Sequence, residues 1–145
     1  MSPAPLLPRV TVAAVVERDG RFLVVEETID GARVWNQPAG HLDPGEDLVG
    51  AVIRETREET GYRFVPEHVV GVYLWTGSDG GPAFLRVAFA ERVEGEPAGD
   101  LDPDILRTAW LTRAQLAAAG PRSPLVLRCL DDHVGGARFP LAVLQ

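Results

Sequence analysis

Residues 40–62 constrain this chain more than any other stretch: Gly-His-Leu-Asp-Pro-Gly-Glu-Asp-Leu-Val-Gly-Ala-Val-Ile-Arg-Glu-Thr-Arg-Glu-Glu-Thr-Gly-Tyr. The stretch opens as a Gly/Pro loop and continues as a helix expected over about residues 47–60. Glu46 and Asp47 stand where carboxylates meet the positive end of a helix dipole, and Gly61 suits a left-handed cap. At about 100° per residue, Leu48, Ala51, Val52, Glu55, Glu58 and Glu59 fall within one arc roughly 120° wide. The first half of that arc is apolar and should face a core. The second half, on the same side, is three carboxylates. Burying such anions side by side is costly unless a cation neutralises them. Mg²⁺ is a hard ion that prefers carboxylate oxygen and commonly bridges to substrate phosphates. The stretch therefore reads as a metal site built on a helix.

The flanking sequence supplies strands for that helix to lie on. β-Branched runs at 10–17 and 21–27 are joined by the hairpin signal Asp19-Gly20, with a short loop expected at 28–31. A short strand should follow near 35–40, with longer ones at 68–76 and 83–92 and another short one at 107–111. Residues 77–82 read as a turn, and 94–104 as an acidic Pro/Gly-rich loop. Thr112 and Gln115 have capping-box spacing ahead of a helix that Gly120-Pro121 stops. Ser123-Pro124 begins a second helix expected to reach about 135, and the apolar tail at 139–144 should pack back on the rest. Strands mixed with helices in this order favour an α/β sandwich over a bundle or barrel. The 145 residues suit a single domain spanning 1–145.

Composition excludes several functions. A net charge of −7 argues against a general nucleic-acid or anionic-membrane binder, which would need a basic face. The single cysteine, Cys129, rules out an internal disulfide and lies in an apolar helical pattern, as a buried structural thiol does. The N-terminus lacks the charged and apolar regions of a signal peptide, and no apolar run approaches the roughly 20 residues needed to cross a bilayer. A cytoplasmic protein is expected.

Gly40, Glu46, Arg54, Glu55, Glu58, Glu59 and Gly61 occupy every fixed position of G-x5-E-x7-R-E-U-x-E-E-x-G-U, and the chain is thereby identified as resembling the Nudix hydrolases. At average residue usage the chance of that match is on the order of 10⁻⁸ per start position. Tyr62 fits its hydrophobic position, and Thr56 is a mild departure at the other. Further stretches, including Trp35-Asn-Gln-Pro-Ala-Gly-His-Leu42, Phe84-Leu-Arg86 and Arg122-Ser-Pro-Leu-Val126, resemble the NudJ-type phosphatases of that family. The resemblance implies an α/β/α sandwich around a mixed β-sheet and Mg²⁺-dependent hydrolysis of a phosphoanhydride, with Mn²⁺ able to substitute. For the NudJ type it implies release of terminal phosphate from nucleoside tri- and diphosphates and from thiamine-type pyrophosphates.

Carried over by position, the resemblance makes Glu55, Glu58 and Glu59 metal ligands, with the Gly40 carbonyl as an additional one. Arg54 would orient a glutamate, being i,i+4 to Glu58. Glu55 is the candidate base, while Glu46 and Gly61 serve the architecture of the motif. The residues themselves leave other roles open. Arg86 could reach a phosphate or face solvent, and His41 and Arg122 could touch substrate. Trp35 and Trp75 could stack on a base, although core packing suits each better. Glu91, Glu94, Glu96, Asp100, Asp102 and Asp104 hold further candidate ligands among which sequence does not choose. The expected partner is a small nucleotide or pyrophosphate. Nudix domains often dimerise, and no apolar stripe here decides for or against a homodimer. Two rivals remain: a pyrophosphohydrolase acting on another nucleotide, and a nucleotide-sensing domain without catalysis, which often loses the carboxylates kept here. Known specificity markers 15–18 residues past the motif are replaced here by Gly77-Ser-Asp-Gly80.

Overall fold

A computed structural model describes residues 2–77 and 80–145. Strand β1 (Arg9–Arg18) turns through Asp19 and Gly20, both at positive φ, into β2 (Arg21–Ile29), the two-residue hairpin that the sequence signals. A second tight turn leads from β2 into β3 (Ala32–Asn36), so Thr28 and Ile29 pair with Arg33 and Ala32 instead of forming the expected loop. Strand β4 (Ala39–His41) precedes helix α1 (Leu48–Thr60). Strand β5 (Arg63–Trp75) begins five residues earlier than the spacing predicts; Pro66, which has no N–H for a ladder, sits beside a bulge that lets the strand continue. Strands β6 (Phe84–Glu94) and β7 (Ile105–Leu111) follow, then helices α2 (Arg113–Ala119) and α3 (Pro124–Val134). Both helices start as expected, α2 with a complete capping box at Thr112 and Gln115, and α3 with Ser123 as N-cap and Pro at its first position. The tail returns as β8 (Phe139–Pro140) and a 3-10 helix (Leu141–Leu144). The turn expected at 77–82 falls partly on 78 and 79, which lie outside the described residues.

The strand order is β3-β2-β1-β6-β5-β8, with β4 also paired to β1 and β7 to β2. Strand β1 runs parallel to β6 and antiparallel to its other neighbours, which makes the sheet mixed. Alternation along β1 builds two cores. Val12, Ala14 and Val16 point towards Ala51 and Val52 of α1, while Val15 points towards Leu116 of α2 and Leu125, Val126 and Leu130 of α3. The result is the α/β/α sandwich. Cys129 is fully buried in the second core. Leu141 and Leu144 pack on the α1 side, which places the C-terminal tail where its composition suggested. Among the described residues no helix is long and apolar enough to cross a membrane.

One detail of the sheet positions everything that follows. Strand β1 pairs with β2 only at Glu17–Phe22 and Arg18–Arg21, while its other half pairs with β4 at Thr11–Ala13. The β2-β3-β7 ribbon therefore diverges from β4-β1-β6-β5, and a wedge opens between them.

Candidate active site

The wedge is a cleft of about 430 Å³. Its floor and walls come from Thr11 on β1, Glu27 on β2, Asn36 on β3, Gly40 and His41 on β4, and Arg86 on β6. Helix α1 closes one end with Glu55 and Glu59, and Ser123 at the start of α3 borders the other wall.

Local forces hold α1 in place. Asp47 caps it by accepting a hydrogen bond from the Gly50 N–H at 2.7 Å, and Gly61, at φ 78°, donates its N–H to the Arg57 carbonyl. Thr56, the departure from the family pattern, is fully buried, and its hydroxyl donates to the Val52 carbonyl at 2.8 Å. A hydroxyl satisfied within its own helix carries little desolvation penalty, so threonine is tolerated where a hydrocarbon is usual.

Arg54 gathers the acidic groups. Its Nε and Nη2 donate to both Glu46 oxygens at 2.6 and 2.8 Å, and Nη1 donates to Glu55 at 2.8 Å and to Glu58 at 3.2 Å. Nη2 also reaches the His41 carbonyl at 3.1 Å and lies 3.3 Å from Asp43. The Arg54 hydrogen bond holds the Glu46 carboxyl down at about 2, helped by the Asp43 N–H that it accepts. Glu46 thus ties the loop to the helix. Burial raises the Glu55 pKa, and Arg54 partly opposes the rise.

Glu59 is different. It is only 6 % exposed and accepts one hydrogen bond, from the Ala39 N–H at 2.9 Å. Burial pushes its pKa up to about 9, and Glu55, Glu27 and Asp102 push in the same direction. Without a cation Glu59 is protonated at neutral pH, and a divalent ion in the cleft would reverse that preference. The Glu55 and Glu59 carboxylates and the Gly40 carbonyl offer oxygen, which suits a hard cation. Gly40 is part of the fit: a Cβ there would lie 2.1 Å from the Glu55 carboxyl carbon, so only glycine lets that carboxylate approach the β4 backbone.

The three helix carboxylates are less alike than their shared arc suggested. Glu58 is 43 % exposed and borders an adjoining recess with Asp100 and Asp102, whereas Glu55 and Glu59 line the main cleft. Among the described residues no three acidic, His or Cys side chains stand close enough to share an ion. Glu55 and Glu58 turn to the same Arg54 nitrogen, whereas Glu59 turns to a backbone N–H.

The remaining candidates divide between core and cleft. Trp35 does not face the cleft: it is buried in the core against Leu116 and Val126, with Arg107 over its ring at 5.1 Å. Trp75 is the tryptophan that lines the cleft, stacked on Phe84 with centroids 6.1 Å apart. Arg86 is buried, and among the described residues no acid pairs with it; its guanidinium donates to Gln37 at 2.8 Å and Asn36 at 2.9 Å. His41 and Arg122 both line the cleft, and Arg122 lies 3.8 Å from Glu27. Of the acidic-loop candidates, Asp102 reaches the cleft because its N–H donates to the Glu58 carbonyl at 2.7 Å. Glu27 and Thr11 were not singled out from sequence, since a strand residue facing a wedge looks like one facing solvent or core.

A family model described as the NUDIX domain matches residues 6–129. Phosphatase NudJ from Escherichia coli is 45% identical over 139 residues, covering 94% of this chain and 90% of that protein. Among solved structures, a NUDIX hydrolase from Nitrosomonas europaea matches with a TM-score of 0.91 at 45% identity, covering 96% of this chain and 97% of that one. A MutT NUDIX hydrolase from Burkholderia pseudomallei matches with a TM-score of 0.74 at 26% identity, over 87% of this chain and 98% of that one.

Proposed function

This chain belongs to the Nudix family and is a Nudix hydrolase; from that premise we propose that it is a single-domain, Mg²⁺-dependent phosphatase releasing the terminal phosphate of nucleoside tri- and diphosphates and thiamine-type pyrophosphates. One observation carries the reading. Buried Glu59 and half-buried Glu55 line one cleft with Gly40, an oxygen-rich setting for a hard cation, and the similarity to a protein named as a phosphatase supports the same choice of leaving group.

Glu55, Glu59 and the Gly40 carbonyl would hold the cation, with Glu58 and Asp102 available from the adjoining recess. A divalent ion held there would supply charge neutralisation of the phosphate and activation of water for attack on phosphorus. Arg54 orients Glu55 and Glu58 through charge-assisted hydrogen bonds, and Glu46 holds Arg54 in turn. Glu55 accepts the proton of the attacking water, held in place for that transfer by the Arg54 guanidinium at 2.8 Å. The cleft walls restrict the phosphates to a narrow set of approaches, which lowers the entropic part of the barrier.

Product analysis tests the proposal. A nucleoside triphosphate, a nucleoside diphosphate and thiamine pyrophosphate are each supplied with Mg²⁺. Orthophosphate from the first two is expected. Pyrophosphate with nucleoside monophosphate from the triphosphate would make the protein a pyrophosphohydrolase instead, and no turnover of any phosphoanhydride would leave it a nucleotide sensor.

A further inference from the structure

We propose that the cleft reads its substrate in one direction: Arg86 seats the phosphate that stays with the organic group, Trp75 and Phe84 stack on that group, and the terminal phosphate lies towards Gly40, Glu55 and Glu59. The inference rests on the phosphoanhydride reading above and adds the side chains that seat each end of the substrate.

The first observation is charge. Arg86 is only 6 % exposed, lines the cleft, and donates to two neutral amide oxygens. Among the described residues no carboxylate pairs with it, in contrast to Arg54, which is saturated by acids, and Arg122, which lies beside Glu27. A buried guanidinium without a counter-ion is costly, and an anion entering the cleft would relieve that cost. Its fork is also pre-aimed. Gln37 holds Arg86 with its Oε1 while its Nε2 donates to the Val126 carbonyl at 2.6 Å, so Gln37 and Asn36 act as positioning residues. A planar fork with free donors matches phosphate geometry.

The second observation is order along the sheet. In register, His41 on β4 faces Thr11 on β1, Thr11 faces Arg86 on β6, and Phe84, two residues before Arg86 on the same strand face, pairs with Trp75 on β5. Two strand spacings place the Arg86 backbone about 10 Å from that of His41. Crossing the sheet, the cleft therefore presents an aromatic pair, then a buried cation held by two neutral amides, then the carboxylates. The reverse orientation would set the ring among Glu27, Glu55 and Asp102, away from Trp75 and Phe84. A substrate of the proposed class would therefore lie with its ring on Trp75 and Phe84 and its terminal phosphate towards Gly40.

Binding of products tests this without requiring turnover. AMP, thiamine monophosphate and inorganic phosphate are titrated by calorimetry with Mg²⁺ into the wild-type protein, Arg86→Gln and Trp75→Leu. At least one organic monophosphate should bind the wild type. Arg86→Gln should weaken it about 30-fold, the usual worth of a charged hydrogen bond. Trp75→Leu should lower the ratio of organic monophosphate to inorganic phosphate affinity about 10-fold, as loss of one stacking surface does. Should Arg86→Gln not fold, the wild-type protein still decides: the organic monophosphate must shift the Trp75 indole N–H resonance, assigned from Trp75→Leu. Unchanged affinity in a folded Arg86→Gln, an unmoved Trp75 resonance, or no binding of either organic monophosphate overturns the proposal. Hydrolysis with Arg86-independent binding would sink the polarity alone; Arg86-dependent binding without hydrolysis would sink the phosphatase reading alone.

Discussion

Arg54 is the residue on which the charge balance of the cleft turns. Its donors are divided among Glu46, Glu55, Glu58 and the His41 carbonyl, a division that needs a planar fork. Arg54→Lys keeps the charge and loses the geometry, so kcat should fall about 10–100-fold, the range for residues that orient ligands, with little change in melting temperature. Gly40 makes a sharper case. Gly40→Ala drives a methyl group into the Glu55 carboxylate, and turnover should fall by on the order of 100-fold while circular dichroism still reports a native fold, because the clash is with a side chain that can swing away. A Gly40→Ala enzyme with near-native kcat would show that the approach of Glu55 to β4 is unimportant. At this scale the sequence was legible where spacing carried the meaning, as for Arg54 and Glu58. It was opaque for Trp35 and Trp75, because both stand in apolar strand contexts and only the divergence of the sheet decides which one meets the cleft.

Among the elements, α1 was the most readable, since its caps, period and acidic turn are all local properties of the chain. Its partner loop was not. The acidic segment after β6 contacts α1 through two backbone hydrogen bonds, Ala98 N–H to the Gly61 carbonyl and Asp102 N–H to the Glu58 carbonyl, and no side-chain pattern encodes either. That contact selects Asp102 from a run of similar acids. It also gives Gly61 a second duty beyond capping, because a Cβ there would lie 2.9 Å from the Ala98 nitrogen. Gly61→Ala should cost about 2 kcal/mol of stability by chemical denaturation, combining left-handed strain with displacement of the loop. Its kcat should fall as well, since the loop carries Asp102. A variant of wild-type stability would mean that the loop is free to move off the helix. The wedge itself escaped the sequence reading because pairing between strands distant in sequence leaves no local trace, as the early start of β5 also illustrates.

For the molecule as a whole, a carboxyl buried in the cleft makes folding sensitive to pH in an unusual direction. The Glu59 pKa lies near 9 in the folded protein and at its ordinary value of 4.5 in the unfolded chain. The folded state therefore holds a proton that the unfolded state has lost, and this contribution to stability is complete below about 4.5 and fades as pH rises towards 9. In the presence of a chelator the melting temperature should fall across that interval. Glu59→Gln should flatten the profile, and Mg²⁺ should raise the melting temperature most at the alkaline end. A flat wild-type profile would mean that the cleft already solvates the carboxylate. The sharing of β1 has a different kind of consequence. That strand gives three residue pairs to β4 and two to β2, so the angle of the wedge depends on backbone ladders that do not include the acidic helix. Trading a pair from one ladder to the other would widen or narrow the entrance while every carboxylate of α1 stayed in place. A lineage built on this plan can thus explore new substrates through its hydrogen-bond register while inheriting its reaction unchanged.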